Sequence, residues 1–348
     1  MKLRLIVDYL VYLAVRLLIC IVQALPIETC DWFAWQIAWL AYDVLKLRRG
    51  ITDENLRQAF PEKTDAERET IARAMWQSLV MMVCEIAHVP RKIHDTNYRN
   101  HIHMPDREGL IHSILDPRAV VFVSAHYGNF EVGGYATGMF GLTTHTIART
   151  LDNPFLDQYL NEFRGKKGQL MLPKQGSAGA VSQILESGGR LVLLGDQFAG
   201  PKGCWINFFN RPASCHKAVA LFTLVNAAPL VLVYVRRRGK GKLEFELGLA
   251  GVADPEIGGE HLAGVKELTQ WYSSQLEDVI RQAPHQYWWL HDRWKKKPKK
   301  QAAAKSDARV DAPVAEAVPA PHAPPAAKPG VVDWLAGAET GDDVEEFS

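Results

Sequence analysis

The chain has 348 residues, of which 47% are hydrophobic and 23% charged, and its formal net charge is +1 at pH 7. This composition excludes a wholly disordered or collagen-like chain, and the near-neutral charge argues against a dedicated nucleic-acid-binding protein. The five cysteines form no CxxC pair, so the sequence indicates a reducing compartment rather than a disulfide framework.

The first element is an almost continuous apolar run over residues 5–25, interrupted by Asp8, Arg16 and Gln23. Crossing a bilayer takes about 20 apolar residues, so the run is just long enough. No small-x-small cleavage site precedes Pro26, which argues against a secretory signal peptide. We expect residues 1–28 to form a membrane anchor with a transmembrane helix. A buried core helix is the alternative.

An aromatic-rich stretch over residues 32–47 follows, and it ends at the basic residues Lys46, Arg48 and Arg49. Aromatic rings favour the interface between membrane and water, and a basic end can meet anionic headgroups. The pattern therefore predicts an interfacial helix, again with a buried core helix as the alternative.

The region after the anchor, residues 29–297, is predicted to form one folded domain. Thr64 and Glu67 have the spacing of a capping box, and apolar residues then recur at helical intervals as far as Ile86. Short apolar runs predict strands at 119–124, 142–148, 190–195, 229–235 and 242–248. Helical patterns separate most of them, near 106–115, 129–140, 153–165, 177–187, 215–227 and 260–283. This alternation predicts an α/β fold with a mostly parallel central sheet flanked by helices.

The C-terminal stretch 298–348 is rich in Ala and Pro and has too few apolar residues to bury, so we expect it to be disordered. The lysine-rich run 295–300 just before it can touch anionic lipid or simply be solvated. Trp334 can belong to a short docking motif within the tail.

The segment that follows the predicted strand 119–124 carries the most chemical information. The strand delivers His126 onto a turn, where Gly128 and Asn129 suit the start of a helix. Ligands of open α/β sheets bind beyond the carboxyl ends of the strands, which places His126 in the candidate site. Glu131 can fold back to hydrogen-bond the imidazole and stabilise its charged form. A His–carboxylate pair without a nearby nucleophile suggests direct activation of a substrate hydroxyl.

This segment resembles the His-x4-Asp/Glu motif of glycerolipid acyltransferases. It is more closely similar to the late acyltransferases of lipid A biosynthesis, the lauroyl/myristoyl transferase family. Further blocks of that family occur in family order, and the resemblance covers roughly residues 1–297. They are Asn55-Leu56 with Ala59-Phe60-Pro61-Glu62; Arg149, Asn153-Pro154 and Arg164-Gly165; Gly195-Asp196-Gln197 with Gly200-Pro201 and Phe208-Phe209; and Gln286-Tyr287-Trp288-Trp289 with His291 and Arg293-Trp294. Asn210, the stretch 214–217 and the tail depart from the family pattern, which leaves the choice of acceptor and acyl chain open.

The resemblance implies transfer of a fatty acyl group from an acyl thioester, of acyl carrier protein or coenzyme A, to a hydroxyl of a lipid A-type glycolipid. It implies that His126 is the general base for that hydroxyl and that Glu131 orients the imidazole. Arg164 is expected to bind an anionic substrate group or to stabilise oxyanion charge. The remaining candidates for substrate binding are Asn129, Arg149, Asp196 and Gln197.

No metal or other cofactor is expected, because a thioester is already activated, and His101-x-His103 lacks matching Cys or carboxylate ligands. Basic clusters within 236–242 and 295–300 are candidates for receiving an acidic carrier protein or the phosphates of coenzyme A. Membrane lipids are expected partners and nucleic acid is not. Because thioester donors are cytoplasmic, we expect the cell inner membrane, with the catalytic domain on its cytoplasmic face.

Three alternatives stay open on the sequence alone. The acceptor can be a lysophospholipid or another membrane lipid, since one scaffold hosts several acceptors. A thioesterase or lipid esterase would use His126 and Glu131 to activate water. A membrane-tethered adaptor would use the C-terminal tail to recruit a partner.

Overall fold

The computed structural model describes residues 2–174, 176–239 and 243–295. The helices are α1 (Lys2–Ala24), α2 (Ile27–Trp39), α3 (Arg49–Ala59), α4 (Asp65–Lys92), α5 (Arg107–Ile114), α6 (Phe130–Met139), α7 (Pro154–Gly165), α8 (Ala178–Glu186), α9 (Ala218–Val225) and α10 (Val265–Gln282). The strands are β1 (Ile102–His103), β2 (Val120–Ser124), β3 (Thr144–Ala148), β4 (Gln169–Pro173), β5 (Arg190–Leu194), β6 (Cys204–Phe208), β7 (Arg211–Cys215), β8 (Leu230–Arg237) and β9 (Phe245–Ala253).

Seven of these strands form one sheet in the order β1-β9-β8-β2-β5-β3-β4. All neighbouring pairs are parallel except β8 and β9, which run antiparallel. The strands β6 and β7 form a separate antiparallel hairpin. The prediction of an α/β fold with a mostly parallel central sheet flanked by helices is confirmed.

Strand β2 lies in the middle of the sheet and is buried along its whole length. Its alternate residues serve two apolar clusters, as the twofold side-chain period of a strand requires. Val121 and Val123 belong to the larger cluster, which includes Leu268 and Leu276 of α10. Phe122 lies on the other face in a smaller cluster. Both faces of β2 are therefore covered, which is why its sequence reads as a continuous apolar run.

Helix α4 begins with the predicted capping box. The Thr64 hydroxyl accepts a hydrogen bond from the Glu67 backbone N–H, and the Glu67 carboxylate accepts one from the Thr64 backbone N–H. The pair satisfies two N–H groups that the helix cannot satisfy internally. From this start α4 runs for 28 residues and provides the surface on which both N-terminal helices pack.

Helix α1 is long and apolar enough to cross a membrane, with a mean hydropathy of 2.4 over Leu3–Ala24. Its half-buried positions are 8, 12, 15, 16, 19, 22 and 23, and this inner stripe faces the rest of the protein. The Asn153 side chain donates a hydrogen bond to the Asp8 carbonyl at 2.8 Å, and Gln23 donates one to a carbonyl of α4 at 2.8 Å. The Arg16 guanidinium lies 4.6 Å from the ring centre of Tyr159 in α7. The side chains of Gln23 and Arg16 thus contact α4 and α7, whereas at Asp8 it is the backbone carbonyl that is bound.

Helix α2 has two unlike faces. Cys30, Ala34 and Ala38 are buried, and the helix contacts α4. The outer face exposes three tryptophans, each about half accessible, at Trp32, Trp35 and Trp39. We call these three tryptophans the indole face. They are spaced three and four residues apart, so they lie on one side of the helix.

The predicted basic end of this segment is only partly free. Arg48 donates a hydrogen bond to the Leu290 carbonyl at 2.7 Å, and Arg49 pairs with Glu69 at 2.9 Å. Two of the three basic groups therefore have partners within the protein, while Arg48 and Lys46 are exposed.

Several boundaries differ from the sequence predictions. Helix α10 begins at Val265 rather than near residue 260, and β9 covers Phe245–Ala253 rather than 242–248. The strands β1, β4, β6 and β7 were not predicted, because they are short or carry polar residues and Pro. The lysine run 296–300, residues 240–242, and the predicted tail 298–348 with Trp334 lie outside the described residues.

Candidate functional site

The register of two parallel strands brings the two central side chains of the site together. Ser124, the last residue of β2, pairs with Leu194, the last residue of β5. His126 and Asp196 each lie two residues further along, so they leave the sheet side by side at its carboxyl edge. This is the edge where open α/β sheets bind ligands.

His126 and Asp196 make two hydrogen bonds. The imidazole Nδ1 lies 2.9 Å from Asp196 Oδ1, and the His126 backbone N–H donates to Asp196 Oδ2 at 3.1 Å. The carboxylate therefore fixes both the position of the turn and the orientation of the ring. Only 15% of the His126 side chain and 3% of the Asp196 side chain are exposed.

The pKa of His126 reflects opposing influences. Burial, the largest, lowers it, but the charge of Asp196, its hydrogen bond and the charge of Glu131 together raise the pKa above its usual value. For Asp196, burial raises the pKa, yet the charge and hydrogen bonds of His126 and the charge of Arg293 hold it below the usual range. Once His126 accepts a proton, the ionised carboxylate beside it stabilises the charged imidazolium.

The other imidazole nitrogen meets an amide. Nε2 of Gln197 lies 3.2 Å from Nε2 of His126. The amide nitrogen is a donor, so it donates to a ring nitrogen that carries no proton. Nδ1 is then the protonated nitrogen and donates to Asp196. This tautomer leaves Nε2 as the proton-accepting atom.

Glu131 does not hold the imidazole as the sequence interpretation had it. Its carboxylate accepts two hydrogen bonds from Arg164, Nε to Oε2 at 3.0 Å and Nη2 to Oε1. Glu131 lies in the first turn of α6, and Arg164 comes from the last turn of α7. The structure thus gives the imidazole hydrogen bond to Asp196, while Glu131 acts on His126 through its charge.

Aromatic rings cover His126. The Trp288 ring centre lies 5.0 Å from that of His126 at an interplanar angle of 35°, and the Phe130 ring lies 5.3 Å away edge-on. The Trp288 backbone N–H donates to the His126 carbonyl at 3.0 Å. The two rings also meet each other at 5.9 Å. We call Phe130 and Trp288 the aromatic cover.

Asn129, a predicted substrate-binding residue, is instead part of the support under the turn. It is buried, and its side-chain oxygen accepts from the Val132 N–H at the start of α6 at 3.2 Å. Its amide donates to Glu85 at 2.9 Å. Glu85 in turn binds Arg237 of β8, Nη2 to Oε2 at 2.9 Å. Sequence reasoning missed Glu85, for which an acid within an apolar helical pattern was the available signal, and it assigned Arg237 to a basic cluster for the donor rather than to this buried pair.

Gly128 permits this arrangement by its backbone conformation. Its φ is +59°, and a Cβ at this position would collide with the Val235 carbonyl oxygen of β8. The neighbouring N–H of Asn129 donates to that same oxygen at 2.8 Å. The turn that carries His126 is therefore pressed against β8 at a point that admits only glycine.

Arg149, a predicted substrate-binding residue, directly follows β3 at the carboxyl edge of the sheet. Its side chain is 76% exposed and pairs with Asp152 at 3.0 Å. In the part of the chain that the structure describes, no group of three or more His, Cys, Asp or Glu side chains is placed to hold a metal ion.

Comparison with known proteins identifies a family. The family model described as bacterial lipid A biosynthesis acyltransferase matches residues 1–296. The chain is 25% identical over 277 residues to the lipid A biosynthesis palmitoleoyltransferase of Escherichia coli K12, covering 79% of this chain and 87% of that protein. It is also 25% identical over 294 residues to the lipid A biosynthesis lauroyltransferase of the same organism, covering 83% and 92%.

A solved structure, the 1-acyl-sn-glycerophosphate acyltransferase PlsC of Thermotoga maritima, matches at 11% identity with a TM-score of 0.37, covering 74% of this chain and 97% of that one. The family match extends over α1, the sheet and the turn that carries His126. The chain is an acyltransferase that belongs to the bacterial lipid A biosynthesis acyltransferase family.

Proposed function

We propose that the protein is a membrane-bound O-acyltransferase that moves a fatty acyl group from an acyl thioester to a hydroxyl of a lipid A-type glycolipid. The observation that carries the mechanism is the hydrogen bond between His126 Nδ1 and Asp196, which leaves Nε2 as the proton acceptor. A base of this kind contributes about 10²- to 10⁴-fold to a proton-transfer step.

In this mechanism the acceptor hydroxyl gives its proton to Nε2 of His126 while its oxygen forms a bond to the thioester carbonyl carbon. Asp196 stabilises the imidazolium that results. The tetrahedral intermediate then collapses, the carbon–sulfur bond breaks, and the leaving thiolate takes the proton from the imidazolium. Because the thioester is already activated, the protein supplies a base, orientation and charge stabilisation, with no acyl-enzyme intermediate.

Glu131 and Arg164 act as a unit in this proposal. Arg164 holds the Glu131 carboxylate near His126, where its negative charge favours the imidazolium. Paired to a carboxylate, Arg164 carries little free charge for a substrate anion. Its role is to place the charge of Glu131 rather than to bind substrate directly.

The thioester donor, from acyl carrier protein or coenzyme A, has a candidate entry beside the turn of His126. A cavity of about 450 Å³ is lined by Arg236, Arg237, Arg238 and His285, among others. It lies at the end of β8, which is parallel to β2, so it opens at the same sheet edge as His126. Arg236 and Arg237 pair with carboxylates, whereas the exposed Arg238 is suited to a donor phosphate.

The membrane part of the proposal rests on α1 and the indole face of α2. The apolar outer side of α1 and three half-exposed tryptophans suit a bilayer and its interface. A thioester donor is made in the cytoplasm. We therefore place the protein on the inner membrane with the site on the cytoplasmic side.

A single-turnover assay tests this function. Detergent-solubilised protein receives a labelled acyl thioester, as carrier-protein or coenzyme A ester, with a panel of lipid acceptors. We expect label on a lipid A-type glycolipid, and at least a hundredfold slower transfer by His126→Ala. His94→Ala, at an exposed histidine that follows α4, is the matched control and should equal wild type.

Other outcomes of that assay separate the alternatives. Transfer only to a lysophospholipid would overturn the lipid A acceptor while keeping the chemistry. Label released only as free acid would identify a hydrolase. Equal transfer by wild type and His126→Ala would refute the base, and no turnover with any acceptor would favour an adaptor.

A further inference from the structure

His126 is surrounded on the sides from which a water molecule would approach it. The aromatic cover lies over the ring, Asp196 occupies Nδ1, and the amide of Gln197 occupies Nε2 at 3.2 Å. A histidine that is only to accept a proton from a bound acceptor has no need of a donor on that nitrogen. General-base catalysis alone therefore does not explain why Gln197 is hydrogen-bonded to Nε2 of His126.

The chemistry of a thioester supplies a reason for guarding this atom. Water and the acceptor hydroxyl are both nucleophiles that His126 can deprotonate. With water the new bond joins the water oxygen to the carbonyl carbon, the carbon–sulfur bond breaks, and the products are a fatty acid and a thiol. An enzyme that holds its donor before the acceptor arrives loses the acyl group in this way unless its base is protected.

We propose that Gln197 is a cap on the general base that suppresses hydrolysis of the acyl donor until the acceptor hydroxyl displaces it. The inference rests on the proposed function and concerns the choice between acceptor and water. Gln197 thus acts through His126 and is a positioning residue. An acceptor lipid held by many contacts can displace one amide, whereas a lone water molecule gains only a hydrogen bond that the amide already provides.

The loop after β5 is built to hold this cap in place. Asp196, one residue before Gln197, is fixed by His126, and the Phe198 N–H, one residue after it, donates to His291 Nε2 at 2.9 Å. Gly195 lies close to Tyr272, since a Cβ there would come within 3.0 Å of that ring. The backbone on both sides of Gln197 is therefore anchored, which leaves its side chain as the movable part.

The aromatic cover and Gln197 shield different parts of His126. Trp288 is tied to the His126 carbonyl through its backbone N–H, so the ring stays over the imidazole. Rings exclude water from the face of the imidazole, but they cannot hydrogen-bond Nε2 in its plane. Only the amide of Gln197 occupies that direction in the described part of the chain.

The test measures the ratio of hydrolysis to transfer in the full-length, detergent-solubilised protein. The variant is Gln197→Met, which keeps the length of the side chain and removes the amide. We expect the ratio to rise about fivefold, the factor that corresponds to one hydrogen bond of ordinary net strength. In acceptor-free single turnovers, release of free fatty acid should rise by the same factor. Gln270→Met, in α10 where the amide binds the Asn207 carbonyl, is the matched control and should leave the ratio at the wild-type value.

Gln197→Asn provides a second variant, since its shorter amide falls short of Nε2 and should also raise the ratio. If Gln197→Met matches the wild-type ratio, or if both reactions fall together, Gln197 is a packing residue and the cap is refuted. If the wild-type protein shows no acyl transfer at all, the proposed function fails first, and that result is separate from an unchanged ratio in an active enzyme.

Discussion

At the residue scale, the charge state of His126 is set by the contest between burial and the carboxylate of Asp196. Burial alone would lower the pKa, and the carboxylate reverses the sign. In the proposed mechanism His126 must be neutral to accept a proton, so we expect the rate of transfer to rise with pH through the pKa of His126. The rising part of the pH profile at low pH, its acidic limb, therefore depends on the charge of Asp196.

Asp196→Asn should move the acidic limb of kcat/KM to lower pH. The substitution removes the charge that raises the His126 pKa, so burial is no longer outweighed and the pKa falls. The plateau rate should fall by roughly 10²- to 10⁴-fold, because the amide does not hold the required tautomer. The pH profile of Asp152→Asn, at an exposed carboxylate, is the surface control. An acidic limb that stays in place or moves to higher pH would contradict the assignment.

Glu131 and Arg164 should behave as one unit in a double-mutant cycle. Removing Arg164 leaves a carboxylate that is nearly buried without its partner, and removing Glu131 does the same to the guanidinium. We expect Glu131→Ala and Arg164→Ala each to reduce kcat/KM, and the double variant to lose little more than the worse single one. Additive losses would show that Arg164 meets the substrate independently.

At the element scale, the turn between β2 and α6 depends on glycine for two separate reasons. Gly128 combines a positive φ with a backbone oxygen at the place of a Cβ, whereas Gly141 has φ +74° and open space around it. Gly141→Ala should therefore cost only the left-handed conformation, about 1–2 kcal/mol. Gly128→Ala should lower the free energy of unfolding by clearly more, measured by thermal unfolding in detergent. Equal costs at the two sites would contradict the close approach to β8.

The indole face should bind lipid by itself. A protein lacking residues 1–24 should still float with vesicles that contain anionic lipid. Replacing Trp32, Trp35 and Trp39 by Ala should weaken that binding more than about a hundredfold, because each half-exposed indole offers roughly 2 kcal/mol of burial. Replacing the exposed Val225 and Ile257, which lie elsewhere in the chain, by Ala is the control. Unchanged flotation of the tryptophan variant would rule out the interfacial role.

The elements that the sequence predicted well are those whose signal is local. The apolar run of β2 and the capping box of α4 are contained in a few consecutive residues, and both appear as predicted. The strands β6 and β7 carry Asn207, Pro212 and Ser214, so their pairing outweighs a weak local preference. Local propensity therefore does not predict strands that form only because they pair with a neighbour.

The sequence predicted which residues form the site but not which of them hydrogen-bond to each other. His126, Glu131, Arg164 and Asp196 all appear near one another, yet the partner of the imidazole depends on which strand lies beside β2. That neighbour is β5, which comes after β3 and β4 in the chain, and strand order is not written in local periodicity. His126 and Asp196 each lie two residues beyond the end of their strand. That equal distance predicts a contact between them only once β2 and β5 are known to be adjacent.

At the scale of the whole molecule, the folded body accounts for the family match. The match ends at residue 296, just before the Ala/Pro-rich stretch 298–348. Removing residues 298–348 should therefore leave acyl transfer and vesicle flotation within about twofold of the full chain, compared in the same single-turnover assay. A large loss of transfer would show that the Ala/Pro-rich stretch has a part in the reaction.

The inner stripe of α1 has a consequence for which hydroxyl is acylated. Asn153, at the start of α7, binds α1 at Asp8, and Arg164, at the other end of α7, binds Glu131 beside the base. The 12 residues of this helix span about 18 Å. In the membrane placement proposed above, the length of α7 sets the distance between the lipid-embedded α1 and the reacting nitrogen of His126. We therefore expect the height at which an embedded acceptor presents each hydroxyl, as much as its chemistry, to decide which hydroxyl is acylated.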